Sequence, residues 1–217
     1  MRKVEYFCLS IIIFLSVITR LYRIDNPVAD WHSWRQADTA AVTRNFVKEG
    51  INLLYPRYDD LSNIASGRDN PQGWRFVEFP LYNAAAAVSY NIFPNFSIEK
   101  WGRLVSVGLA VLSLIFIYFL TRKYLGAVAA LFSAGIFALL PYNIFYGRVI
   151  LPEPALVCFS TGMLWFFSVL ITERKKWGML FLLFGAGAML IKPVAAFLFL
   201  PMVYLIFREI REIGEIR

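Results

Sequence analysis

Residues 104–120 read LVSVGLAVLSLIFIYFL, and one threonine later the chain carries Arg122-Lys123. The run holds no charged side chain. A helix crossing the hydrocarbon core of a bilayer needs about 20 mostly apolar residues, within roughly 17–25. Lys and Arg collect at the cytoplasmic ends of such helices. Outward from this run the pattern repeats. The stretch 127–145 leads to Arg148, 156–171 to Glu173-Arg174-Lys175-Lys176, 177–191 to Lys192-Pro193, and 194–207 to the charged segment 208–217. Near the start, Met1-Arg2-Lys3 precedes an apolar stretch within 6–22 with no small-residue cleavage site after it. It reads as an uncleaved signal anchor with a cytoplasmic N-terminus.

Composition agrees. Of 217 residues, 59% are hydrophobic and only 17% charged, where soluble domains carry about 25% charged; mean hydropathy is +0.56. A soluble globule, a disordered chain and a collagen-like chain are excluded. The expectation is an all-α integral membrane protein, a single domain over 1–217 forming a polytopic helical bundle of five to six spans. The formal charge of +7 belongs to membrane flanks and a substrate phosphate rather than to nucleic acid. Cys8 and Cys158 lie in apolar runs and read as small buried hydrophobes.

Residues 24–101 form one long outer loop with two apolar pieces. Ala37–Glu49 reads as a short amphipathic helix stopped by Gly50. Leu81–Phe93 is too short to span and reads as interfacial. If it lies in the interface, Arg122-Lys123 and Arg174–Lys176 share the cytoplasmic side, and the loop, the Arg148–Glu153 turn and the Lys192-Pro193 turn share the other.

On that outer side Asp30-Trp31-His32-Ser33-Trp34-Arg35-Gln36-Ala37-Asp38-Thr39 is the densest set of functional groups in the chain. Glu78 opens the interfacial helix. Glu153 sits between Pro152 and Pro154, which argues for a fixed turn rather than a helix end. Lys192 lies between two uncharged stretches, a setting in which an ionisable group marks a functional site. Guanidinium and ammonium groups at a membrane surface suit a lipid phosphate, and a carboxylate beside them suits a general base for an attacking hydroxyl. The combination describes sugar transfer from a lipid-linked phosphosugar. The single histidine gives no zinc signature, a divalent ion would find no other sequence signature, and no Gly-rich nucleotide loop is present.

The ordered set Trp34-Arg35-Gln36-Ala37-Asp38-Thr39-Ala40 into Arg44-Asn45-Phe46, Glu78-Phe79-Pro80-Leu81-Tyr82, Arg103-Leu104, Tyr146-Gly147-Arg148 through Glu153, and Lys192-Pro193 resembles the N-terminal module of the GT-C-fold membrane glycosyltransferases. The likeness is to the family 39-like branch of protein O-mannosyltransferases and lipid A aminoarabinose transferases. The resemblance implies a polyprenyl-phosphate sugar donor, a lipid, glycan or protein acceptor, and an active site on the outer face of a bacterial or archaeal plasma membrane. It implies a first-loop carboxylate as base and a second acid in the next outer turn, which Glu153 matches. The register places Arg35-Gln36 where many relatives carry their acidic pair, so the base is Asp30 or Asp38, with Asp30 favoured because it follows the first span. His32, Arg35, Gln36, Glu78, Arg148 and Lys192 are the expected substrate and phosphate ligands. Relatives commonly have more spans, so the chain reads as an N-terminal part. A transporter or flippase of a lipid-linked sugar, and a non-catalytic membrane scaffold, share part of this chemistry. The first predicts internal repeats and polar groups at mid-span; the second predicts that Asp30, Asp38 and Glu153 are all replaceable.

Overall fold

The computed structural model describes residues 2–63, 67–173 and 177–215; the basic cluster Arg174-Lys175-Lys176 lies outside them. The elements are α1 (Arg2–Leu21), α2 (Ser33–Glu49), α3 (Leu81–Ile92), α4 (Ile98–Leu139), α5 (Pro141–Tyr146), α6 (Glu153–Glu173), α7 (Gly178–Ile191), a 3-10 segment (Pro193–Leu198) and α8 (Phe199–Glu215). Among the described residues four helices are long and apolar enough to cross a membrane: Lys3–Leu21, Ile98–Leu139, Glu153–Thr172 and Pro193–Arg211. Four long helices and the five to six expected spans are counted differently, because one of the four contains two expected spans and another expected span is a shorter helix. The expected spans 104–120 and 127–145 are joined in the 42-residue α4, and Pro141 starts the separate α5. The run 177–191 yields the 14-residue α7, about 21 Å long at 1.5 Å per residue against a hydrocarbon core of about 30 Å.

The long helix is folded back on itself. Ser133 Oγ donates to Thr121 Oγ1 at 3.2 Å across twelve positions, which a straight helix would hold about 18 Å apart. The reversal is at Gly126, whose φ of 85° and ψ of 178° lie in a region essentially closed to side-chain-bearing residues. Leu114 and Tyr118 of the first leg pack with Ala130, Ala134 and Ala138 of the second and Leu9 of α1. The small residues recur every four positions, so they form one face on which neighbouring backbones approach closely.

At one end of the bundle Glu5 is buried, accepting from Tyr118 Oη at 2.5 Å and from Arg122, and Lys123 donates to Thr172 Oγ1 at 2.8 Å. At the other end Arg20 is fully buried. It donates to the carbonyls of Ala138 at 3.0 Å and Asn143 at 3.1 Å, and to that of Phe137. The carbonyls of the last helical turn have no partner within the helix, and a cation there also meets the negative end of the helix dipole.

α6 packs against both α4 and α7, with Phe116, Cys158 and Phe166 at the centre of the contact. Phe184 of α7 lies against Gly162 of α6 so closely that any side chain there would collide with its ring.

The outer segment is held by buried polar contacts. α2 begins at Ser33, ahead of the expected Ala37, and ends at Gly50, whose N–H reaches Phe46 O at 3.1 Å. Asn83 of α3 donates to Thr39 O at 2.7 Å. Tyr82 Oη donates to Gly102 O at 2.7 Å, and Ser106 Oγ, beside it, donates to Val149 O at 2.6 Å. α3 is thereby docked onto α2 and α4.

Candidate functional site

The site forms where the N-terminus of α2 meets the 147–153 turn and Lys192. His32 has φ 59° and ψ 33°; this left-handed residue turns the chain from the loop into α2. Gln36, one turn into the helix, is fully buried. Its amide donates to Asp30 Oδ1 at 2.6 Å and to Trp31 O at 2.9 Å, while its carbonyl oxygen accepts from Ile150 N at 3.2 Å. One buried amide thus ties the first loop, α2 and the 147–153 turn together and fixes the Asp30 carboxylate with a neutral partner.

On the adjacent face of α2, Arg35 reaches two carboxylates. Nη2 pairs with Glu78 Oε1 and lies 3.0 Å from Glu153 Oε1. Lys192 Nζ donates to the same Glu153 oxygen at 2.9 Å, while Glu153 Oε2 is buried with no hydrogen-bond partner. Glu153 is the first residue of α6, which corrects the expected turn. Proline is tolerated in the first helical turn because its missing N–H would have no partner there, so Pro154 permits the helix to start and the dipole favours the acid.

Three positions along α2, Asp38 accepts from Arg75 at 2.9 Å. Burial pushes the Asp38 carboxyl above its ordinary value of 3.8; Arg75 opposes the shift, and Asp60 and Asp59 add to it. Arg148 donates to Tyr22 O at the end of α1, and no carboxylate lies in ion-pair range of it among the described residues. The exposed His32 ring stands 6.3 Å from that of Tyr146.

The structure therefore brings Arg35, Glu78, Glu153 and Lys192 into one cluster, with Gln36 and Asp30 against the 147–153 turn and Arg148 on it. Asp38 stands apart with Arg75. The role of Arg75 as the counter-ion of Asp38 had no sequence signal, because 37 positions separate them. Asp38, Glu78 and Glu153 are paired with Arg35, Arg75 and Lys192, whereas Arg148 is held by a backbone carbonyl. Glu153 also lines a cleft of about 200 Å³ together with Ala110, Phe137, Tyr146 and Val157. No group of three or more His, Cys, Asp and Glu side chains fit to hold a metal ion occurs among the described residues.

The raised Asp38 value has a measurable sign. Protonation is favoured in the folded state, so its stabilisation is complete below the unfolded value and is lost as pH rises through the folded one. In Arg75→Gln burial loses its main opponent, and this loss moves to higher pH. Thermal stability of wild type, Arg75→Gln and Asp38→Asn across pH 4–8 checks it: Asp38→Asn shows no such step. An identical midpoint in wild type and Arg75→Gln contradicts the assignment.

The model of the family described as dolichyl-phosphate-mannose-protein mannosyltransferase matches residues 73–214. No curated protein and no solved structure matches the chain. The matched span contains Glu78, Arg148, Glu153 and Lys192, while Asp30, His32, Arg35, Gln36 and Asp38 precede it. Because the match covers well over half of the sequence, the chain belongs to the dolichyl-phosphate-mannose-protein mannosyltransferase family, an all-α membrane glycosyltransferase family of GT-C-like fold.

Proposed function

We propose that the chain is a membrane glycosyltransferase that moves a sugar from a polyprenyl-phosphate donor to an acceptor hydroxyl on a lipid, glycan or protein outside the cytoplasm. One observation carries this reading: Glu153, which pairs with both Arg35 and Lys192, also lines a mostly apolar cleft between the helices. A polyprenyl tail occupies such a cleft, its phosphate meets Arg148 and Lys192 at the rim, and its sugar lies among the carboxylates. The acceptor oxygen attacks the anomeric carbon, the bond from that carbon to the phosphate oxygen breaks, and the proton passes to Asp30. Polyprenyl phosphate leaves with its charge met by the cations, and the anomeric configuration inverts. Glu153 receives hydroxyls of the sugar on its unpartnered oxygen. Gln36 positions Asp30, and His32 lines the entrance beside Tyr146.

Arg148→Gln is expected to weaken binding of polyprenyl phosphate by about 1.5–3 kcal/mol, the range for a hydrogen bond to a charged group. Lys192→Gln has a smaller effect, because Lys192 is already engaged by Glu153. Calorimetric titration of the two variants measures this; unchanged affinity in both contradicts the phosphate assignment. For orientation, Arg122 and Lys123 mark the end opposite the site and support a cytoplasmic placement of that end. A cysteine at position 62 is then labelled by an impermeant thiol reagent in intact cells; protection of that cysteine until the membrane is opened contradicts this orientation.

A further inference from the structure

A second site lies at the far end of α2. The C-terminal turn of α2 and the loop beyond it enclose a cavity of about 220 Å³ lined by Asn45, Glu49, Asn52, Tyr55, Arg57 and Trp74. The Tyr55 and Trp74 rings stand 5.5 Å apart, and Tyr55 is 55% exposed. Arg57 Nη1 pairs with Glu49 at 3.1 Å, and Arg57 lies over the Trp74 ring at 5.8 Å.

The backbone beneath is fixed. Arg57 and Trp74 form an antiparallel bridge flanked by Tyr58 N to Gly73 O and Arg75 N to Pro56 O, both 2.9 Å. Buried Asn70 closes the turn, donating to Trp74 O at 3.0 Å and accepting from Trp74 N at 2.9 Å. Gly73 has φ 66°, and a Cβ there would meet Tyr58 O at 2.6 Å. The rings are therefore presented by a rigid ribbon, and little ordering remains to oppose binding.

We infer that this cavity is a saccharide-binding site, holding the part of an acceptor glycan remote from the reacting hydroxyl; its assignment to the acceptor rests on the transferase reading above. A lipid tail needs no hydrogen-bonding lining, and a phosphate would be repelled by Glu49. A pyranose instead needs both kinds of surface. Its axial C–H groups pack on an aromatic face, which carries partial negative charge. Its hydroxyls both donate and accept, which a carboxylate, a guanidinium and two amides satisfy together. Arg35 and Glu49 are fourteen residues apart on α2, about 21 Å along a helix, so the acceptor is an oligosaccharide reaching along α2 past Asp38 and Arg75.

The test is saturation-transfer NMR on the full chain in lipid nanodiscs, with methyl α-D-mannopyranoside, methyl α-D-glucopyranoside and N-acetylglucosamine as probes. At least one probe receives saturation; Glu49→Gln weakens it about tenfold, as loss of one charged hydrogen bond does, and Tyr55→Ala weakens it by removing the aromatic face on which the sugar packs. The readout is binding and needs no turnover, so failure of this site is distinguished from failure of the transferase reading, which the transfer assay tests separately. Absence of saturation with all three probes, or equal binding by wild type and both variants, overturns the inference. So does quenching of Trp74 by brominated lipid chains, read as the difference between wild type and Trp74→Phe, because it would seat the aromatic edge in the bilayer.

Discussion

Asp30→Asn is expected to lower sugar transfer by about 10²–10⁴-fold, the usual contribution of general-base assistance, with donor affinity unchanged. An acceptor hydroxyl ionises far above neutral pH, so it attacks the anomeric carbon only as its proton is removed. Asp30 is held by the uncharged amide of Gln36 at 2.6 Å, which orients the carboxylate; the cation Arg103 acts on it through space and is itself hydrogen-bonded to the carbonyls of Ile24 and Asn26. Asparagine keeps the shape and still accepts from Gln36, so the buried network is retained and only basicity is lost. Asp38 is paired with the Arg75 cation at 2.9 Å, and Asp38→Asn changes turnover only a few-fold. Initial rates and donor affinities of both variants decide between the two acids: a larger loss in Asp38→Asn transfers the role of base to Asp38, and near-normal rates in both remove the first-loop base.

Arg35→Gln has the second large effect, on stability as well as transfer. Arg35 ties α2 to the chain just before α3 through Glu78 and to α6 through Glu153. Its removal leaves Glu78 without its ion-pair partner and Glu153 with Lys192 alone. Breaking a fully buried ion pair costs about 3–5 kcal/mol. These side chains are 12% to 27% exposed, and solvent screening brings the expected loss to about 1–3 kcal/mol. Arg35→Lys recovers only part of it, since an ammonium is a point charge without the planar fork that spans two carboxylates. Thermal unfolding in detergent, with transfer measured on the same samples, checks the prediction. A variant as stable and as active as wild type contradicts it.

The apolar runs were legible in the sequence because hydrophobicity without charge has one interpretation at that length. Gly50 was legible as the stop of α2 because a φ of 97° is open to glycine and costly to other residues. The grouping of the first loop, the 147–153 turn and Lys192 at one end followed from the placement of basic residues, and the structure puts them together. What was hidden depended on distant partners. The reversal between the runs 104–120 and 127–145 was legible from Arg122-Lys123 between them, but that the single residue Gly126 makes it, with Ala130, Ala134 and Ala138 packed on Leu114 and Tyr118, was not. α2 starts at Ser33 because His32 adopts a left-handed conformation held within the tertiary structure, which local propensity does not favour. Arg75 carried no signal because its counter-ion is far away along the chain. Arg20 gave none of its burial, since a basic residue near the end of an apolar run ordinarily reads as a solvated flank.

The central claim is that the bond between sugar and phosphate is broken in this site. The direct measurement uses vesicles holding the protein, a polyprenyl-phosphate sugar labelled in the sugar, and acceptor glycan on the side of the first loop. Label is expected on the acceptor together with stoichiometric free polyprenyl phosphate, with both products slowed by about 10²–10⁴-fold in Asp30→Asn. Labelled donor that changes leaflet with its sugar–phosphate bond intact, and no label on any acceptor, would contradict it and identify a carrier of lipid-linked sugar instead.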